Sequence, residues 1–181
     1  MKKSKSVINF KVSALIGAIA LSASFSAQAQ AWPNKQITFV VPFTAGSATD
    51  IVARTVAEAM GKSMGQSIVI ENKVGAGGTI ATAQVAKAEA DGYTVLVHSS
   101  GHVLNPALYP NLSYDTVKDL TGVTTLAAIP NVLVVNPSKG WKTQADLIAA
   151  ARAKPGTLNY ASAGIGSGTH MNAEIFRLQT G

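Results

Sequence analysis

Two stretches of the sequence place glycine, serine and threonine between an apolar run and a run with helical spacing. The first is TAGSATD at residues 44–50, and the second is SAGIGSGTH at residues 162–170. Backbone N–H groups at a helix start bind anions, glycine lets a ligand approach the backbone, and hydroxyl groups add donors. Neither stretch contains lysine or arginine. Together they predict a site that holds an anion with neutral donors and no fixed cation.

The titratable residues near these loops leave several roles open. A single glycine-rich loop is weak evidence, because such residues also form tight turns that pack a helix on a sheet. Asp50 is expected either to cap a helix or to meet a ligand's amino group. His170 is expected either to donate to an anion or to cap the second helix. His98 and His102 are four residues apart without the glutamate of a zinc-protease motif, which favours loop histidines over metal ligands.

Alternating patterns of apolar residues predict the scaffold that positions the loops. In chain order they indicate a strand, a helix, a strand, a helix and a strand at residues 37–41, 50–64, 67–71, 80–90 and 93–98. In the first helix an apolar face is expected at a spacing of four, from Val52, Val56 and Met60. This βαβαβ order predicts a parallel sheet with right-handed crossovers. Ligands of such sheets bind beyond the carboxyl ends of the strands, where the small-residue loops lie.

The following part of the sequence is less regular. Apolar residues predict two strands at residues 123–128 and 132–135, interrupted by Pro130-Asn131, and they are interpreted as a connection between two lobes. Thr143 is expected to cap a helix that extends to Lys154. Another strand is predicted at residues 158–161, directly before the second small-residue loop.

A secretory signal is predicted for residues 1–29. Four lysines precede an uncharged apolar run, and Ala27-Gln28-Ala29 offers small residues for cleavage. The run has about 14 residues, fewer than the roughly 20 that a membrane-spanning helix needs. Without those lysines the formal charge falls from +6 to +2, which gives no support for nucleic-acid binding. The chain has no cysteine, so neither disulfides nor a lipid anchor on cysteine is expected.

Longer motifs carry a resemblance to one protein family. From Trp32 to Gly181 the chain resembles the Bug family, the extracytoplasmic solute receptors of tripartite tricarboxylate transporters. The matching motifs are WPNKQI (32–37), VVPF (40–43) with Thr49-Asp50, VIENK (69–73) with GAGG (75–78), ADGYT (90–94), LNPALY (104–109), PNVLVVNP (130–137) and LNYAS (158–162). Ala45, Ser47 and Ala48 depart from the family, which usually has proline or glycine there.

The resemblance implies an α/β fold like that of type II periplasmic binding proteins, with a parallel βαβαβ lobe and an incomplete second α/β lobe. Residues 30–122 would form the N-terminal part of lobe I. Residues 123–181 would form the crossover and the incomplete lobe II. The implied protein is a soluble, monomeric periplasmic receptor without cofactor or metal.

The implied ligand is a small carboxylate: a di- or tricarboxylate, an acidic amino acid or an aromatic acid. It would be delivered to the membrane subunits of a tripartite tricarboxylate-type transporter. Family members hold a ligand carboxylate between the first loop and the glycine-rich loop of the second lobe, with ordered water. The residues expected to bind ligand are Phe43, Thr44, Ala45, Gly46, Ser47, Thr49, Asp50, Gly77, Ser99, Ser100, Ser162, Ala163, Gly164, Gly166, Ser167, Thr169 and His170.

Other functions remain as alternatives. The receptor could present its ligand to a membrane signalling kinase, or the chain could be a non-functional truncated fragment. A hydrolase is disfavoured because no Gly-x-Ser-x-Gly motif is present. A dinucleotide site is disfavoured because no acidic residue follows the glycines at residues 164–168 by about 20 positions. The chain is therefore expected not to be an enzyme.

Overall fold

A short central strand, β1 (Ile37–Val41), organises the fold. The computed structural model describes residues 31–181, so the predicted signal at residues 1–29 lies outside the described residues. β1 pairs in parallel with β2 (Ile68–Asn72) and with β3 (Thr94–Leu96), in the order β2-β1-β3. The β-branched and aromatic residues of β1 suit a strand covered on both faces. The predicted parallel βαβαβ arrangement is confirmed.

Helix α1 (Ala48–Met64) follows β1 and ends at Gly65, whose φ of 66° is left-handed. The predicted apolar face is wrong in detail, because the buried positions are Ala53 and Ala57. Val56 packs at the edge of the core, whereas Met60 is exposed. The two alanines let the helix backbone approach the sheet closely, which larger side chains would prevent.

Helix α2 (Thr79–Ala86) connects β2 and β3 and stops four residues before its predicted end. Residues 87–90 are mostly exposed and have little to pack against. The core lies where α1 covers the sheet, and its buried residues are Ile37, Phe39, Val41, Phe43, Ala53, Ala57 and Val97. Their burial fixes the sheet edge from which the loops project.

Three helices follow β3: α3 (Asn105–Leu108), α4 (Gln144–Ala153) and α5 (Gly168–Thr180). Helix α4 has the predicted cap, in which Thr143 and Asp146 bond each other's backbone amides in a capping box. Short 3₁₀ turns precede α3 and α4, at Ser100–Leu104 and Pro137–Lys139. Within residues 31–181, no helix is long and apolar enough to cross a membrane.

The strands predicted at residues 123–128, 132–135 and 158–161 are absent from the described chain. Residues 123–136 are instead an exposed, irregular segment in which Val123 is 84% and Val132 80% exposed. A strand requires a neighbour for its backbone hydrogen bonds, and these residues have none among residues 31–181. The composition of these residues suits a strand, but a local sequence pattern does not supply the neighbouring strand that pairing requires.

Candidate ligand-binding site

Four loops lie at the carboxyl edge of the sheet: those that follow β1, β2 and β3, and the loop at residues 162–170. The last three contact each other through glycines. A Cβ on Gly77 would lie 2.5 Å from the carbonyl oxygen of Ile165. Gly101 faces the carbonyl of Gly166 so closely that a Cβ there would clash with it. The hydroxyl of Tyr109 also donates to the Ile165 carbonyl at 3.1 Å. The loop at residues 162–170 therefore packs directly on the loops that follow β2 and β3.

His98 connects Phe43, which directly precedes the loop at residues 44–50, to the three loops that contact each other. Its ring makes an edge contact with Phe43 at 5.6 Å between centroids and a tilted contact with His102 at 5.3 Å. Gly78 allows the ring to approach, because a Cβ on Gly78 would overlap His98 Nε2. Burial, followed by the neighbouring His102, lowers the pKa of His98 to about 4. His98 is therefore neutral at physiological pH and places no positive charge beside the loops.

The two predicted anion loops fold into matching corners, here named the first corner (residues 44–50) and the second corner (residues 164–170). In the first, the Ser47 amide donates to the Thr44 carbonyl at 3.1 Å and Ser47 Oγ accepts from the Asp50 amide at 3.2 Å. In the second, the Ser167 amide donates to the Gly164 carbonyl at 3.0 Å and Ser167 Oγ accepts from the His170 amide at 3.2 Å. Each serine is thus the N-cap of its helix, α1 or α5.

The backbone conformations of the corners agree as closely as their hydrogen bonds. Gly46 and Gly166 have φ values of 82° and 86°, a region that favours glycine. Ser47 (φ −65°, ψ 159°) and Ser167 (φ −71°, ψ 158°) are both extended. Each corner leaves the first two helical amides without a partner among residues 31–181: Ala48 and Thr49 in the first, Gly168 and Thr169 in the second.

Asp50 does not cap α1, which was one of the two roles predicted for it. Ser47 caps α1, and the Asp50 carboxylate is only 1% exposed. Its Oδ2 instead accepts from the amide of Gly46 at 2.8 Å, so this predicted ligand donor is already occupied. The Arg54 guanidinium, with help from Asn72 and Gly46, lowers the pKa of Asp50 to about 2.

Several buried polar atoms between the loops have no hydrogen-bond partner among the described residues. They include Ser99 Oγ, Asn105 Oδ1 and one ring nitrogen each of His98, His102 and His170. Asn105 is fully buried and its side-chain amide reaches the Gly77 carbonyl at 3.4 Å. Such atoms require water or a ligand group nearby. No group of residues suited to a metal ion occurs in the described range.

The predicted site residues divide into two groups. Gly77, Ser100 and the loop at residues 162–170 lie together around the second corner, and Ser99 precedes Ser100 as the N-cap of its 3₁₀ turn. Phe43 joins them through His98, whereas no hydrogen bond within residues 31–181 links residues 44–50 to residues 162–170. Sequence reasoning missed Arg54, Asn72, Asn105 and Tyr109 as residues that hold the loops. Asn72, Asn105 and Tyr109 lie within the motifs shared with the Bug family, but nothing in the sequence revealed their hydrogen-bond partners.

Comparison with known proteins places the chain among relatives of about twice its length. Residues 52–181 match the family described as "Tripartite tricarboxylate transporter family receptor". A "UPF0065 protein in tcbD-tcbE intergenic region" from Pseudomonas sp. (strain P51) is 39% identical over 158 residues, covering 87% of this chain and 47% of that protein. Protein BugT of Bordetella pertussis is 38% identical over 172 residues, covering 93% and 53%. The chain spans about half the length of these curated relatives.

Solved structures agree in fold. The chain is similar to R. palustris Rpa4515 with adipate, with a TM-score of 0.79 and 41% identity over 83% of this chain and 50% of that one. It is also similar to MatC from Rhodopseudomonas palustris with bound malate, with a TM-score of 0.76 and 37% identity over 82% and 51%. The type II periplasmic-binding-protein-like fold predicted from the motifs is therefore confirmed, and the chain belongs to the family of tripartite tricarboxylate transporter receptors.

Proposed function

We propose that this chain supplies the carboxylate-binding edge of a periplasmic solute receptor of the tripartite tricarboxylate type. The observation that carries the proposal is the pair of matching corners, each with two unpartnered amides at a helix start. Such amides, together with the helix dipole, favour a carboxylate. The bound adipate and malate of the two similar structures support the same ligand class.

The donors of the site are neutral. Arg54, the cation four residues after Asp50 on α1, already pairs with Asp50 at 2.9 Å. A ligand carboxylate would therefore be held by main-chain N–H groups and by hydroxyl groups such as Thr49, in a geometry fixed by the serine caps. Charge-assisted hydrogen bonds of this kind are roughly twice as strong as neutral ones. Binding without turnover is proposed, with a di- or tricarboxylate, acidic amino acid or aromatic acid as ligand.

The wider assignments are part of the same proposal. Residues 30–122 would be the N-terminal part of lobe I, and residues 123–181 the crossover with part of lobe II. Transport rather than signalling is proposed because the family match is to transporter receptors. The proposed partners are the membrane subunits of such a transporter, and the proposed location is the periplasm.

Proline substitution at the first helical position tests the role of the amides. Proline is tolerated there, yet it removes the N–H group. The extended Ser47 and Ser167 suit a following proline, which makes Ala48→Pro a conservative change; Gly168→Pro also brings a Cβ to 3.3 Å from Ser100 Oγ. Gln144→Pro is the matched control, because α4 begins after the extended Thr143 and away from both corners.

Calorimetric titration with malate and with adipate gives the readout. Each of the two site variants is expected to lose roughly tenfold or more in affinity, the cost of one hydrogen bond to a charged group. The control variant is expected to keep the wild-type affinity, and the dimethyl esters are expected not to bind. Equal affinity for acids and esters, or no effect of either site proline, would contradict the proposed function.

A further inference from the structure

The carboxylate of Asp50 makes more contacts than its corner needs. The second corner forms the same turn and the same serine cap with His170 at the position of Asp50. An acid at this position is therefore not required to shape the corner or to start the helix. The contacts of Asp50 must serve something that the first corner has and the second lacks.

The first corner, unlike the second, is joined by hydrogen bonds to the end of β2. Asp50 Oδ1 accepts from Asn72 Nδ2 at 2.9 Å, and Asp50 Oδ2 accepts from Arg54 Nε at 2.9 Å. Asn72 is the last residue of β2, and its Nδ2 also donates to the Phe43 carbonyl at 2.9 Å. Its Oδ1 accepts from the Arg54 guanidinium at 3.1 Å. Asp50, Arg54 and Asn72 thus form a closed triangle of hydrogen bonds, here named the loop anchor.

The loop anchor holds the backbone on both sides of the first corner's turn. Asn72 binds the carbonyl of Phe43, and Asp50 binds the amide of Gly46 at 2.8 Å. The intervening residues 44 and 45 are exposed and have no other attachment to the sheet among residues 31–181. The position of residues 44–46 against the sheet therefore depends on this triangle.

The loop anchor also controls the charge of the site. Asp50 is buried and ionised, and Arg54 is the one cation that contacts it within the described chain. A buried carboxylate without that guanidinium would repel an anionic ligand bound at the same helix start. A guanidinium without the carboxylate would instead attract one.

We propose that Asp50, Arg54 and Asn72 are positioning residues for ligand binding: they fix the first corner to β2 and keep its surroundings electrically neutral. This inference rests on the proposed function. Asp50 itself does not touch the ligand. It acts through the backbone of the loop and through the charge that it shares with Arg54.

Three variants in the whole chain separate positioning from simple loss of structure. Arg54→Gln leaves an unpaired carboxylate, and malate affinity is expected to fall roughly tenfold. Asp50→Asn leaves an unpaired cation, so affinity falls less and becomes steeply dependent on salt. The double variant restores neutrality and is expected to bind more tightly than Arg54→Gln alone. Glu58→Gln is the control, because it removes an exposed ion pair with Lys62 on the same helix.

The result that would overturn the inference is a double variant that binds no better than the weaker single variant, or an Arg54→Gln affinity equal to that of the control. A ligand-free readout covers the case in which the wild-type chain binds neither malate nor adipate. In NMR of the unliganded chain, the amide of Gly46 is expected to exchange slowly and to become at least about tenfold faster in Asp50→Ala, which removes its acceptor. Fast exchange of Gly46 in the wild type would refute the loop anchor, whereas slow exchange without binding would refute only the proposed function.

Discussion

Replacing Gly77 with alanine should separate the loops at the carboxyl edge. Gly77 has a φ of 61°, and an alanine Cβ would lie 2.5 Å from the Ile165 carbonyl oxygen and 2.9 Å from the Tyr109 hydroxyl. The left-handed backbone costs alanine about 1 kcal/mol. Overpacking, or loss of the contacts between the loops, adds roughly 1–2 kcal/mol. The expected loss in the free energy of unfolding is therefore roughly 2–3 kcal/mol.

Gly156→Ala provides the matched control for this prediction. Gly156 has a similar φ of 74°, but a Cβ there would have no neighbour within 4 Å. Gly156→Ala should lower the free energy of unfolding only through its left-handed backbone, by about 1 kcal/mol. Urea unfolding followed by circular dichroism measures both variants. Equal losses for Gly77→Ala and Gly156→Ala would refute the contact between the loop after β2 and the second corner.

Three further predictions use other parts of the structure. Folded His98 resists protonation until about pH 4, so the free energy of unfolding should fall by roughly 2 kcal/mol as pH drops from 6.5 to 4. His98→Gln should remove much of that fall, and an unchanged pH dependence of unfolding in His98→Gln would contradict the burial of His98. Tyr109→Phe should cost about 1 kcal/mol in urea unfolding through its lost bond to Ile165, and no loss would contradict that bond. Amides of residues 123–135 should exchange hydrogen within seconds to minutes while those of β1 stay protected, and protection in both segments would contradict the exposed arrangement.

Much of the fold could be predicted because local patterns and tertiary structure agree there. The residues of β1 are β-branched or aromatic, and four of the five are buried. The cap of α4 could also be predicted, since Thr143 and Asp146 hydrogen-bond each other's backbone amides within one turn. Residues 123–128 show where prediction from local sequence fails, because they were predicted as a strand and form none. Their composition suits a strand, but strand formation depends on a partner that a local pattern cannot identify.

The turns and caps of the two corners could be predicted from the sequence, but their long-range hydrogen-bond partners could not. Glycine and serine spacing indicated both corners, because the turn and the cap are made within seven residues. The use of the Gly46 amide by Asp50 could not be foreseen from spacing alone. It depends on Asn72 and Arg54, and Asn72 is 22 positions away from Asp50 in the sequence. Long-range hydrogen bonds of this kind decide which donors remain for a ligand.

The most direct test of the carboxylate site is an amide-resolved NMR titration of the isotopically labelled chain with malate. We expect saturable shifts, fitting one dissociation constant, at the four amides of the two corners that have no partner among residues 31–181: Ala48, Thr49, Gly168 and Thr169. The amides near the N-terminus of α4 should stay in place and serve as the internal control. Shifts confined to other surfaces, or a spectrum that malate does not change, would contradict the claim that these two corners form a carboxylate site.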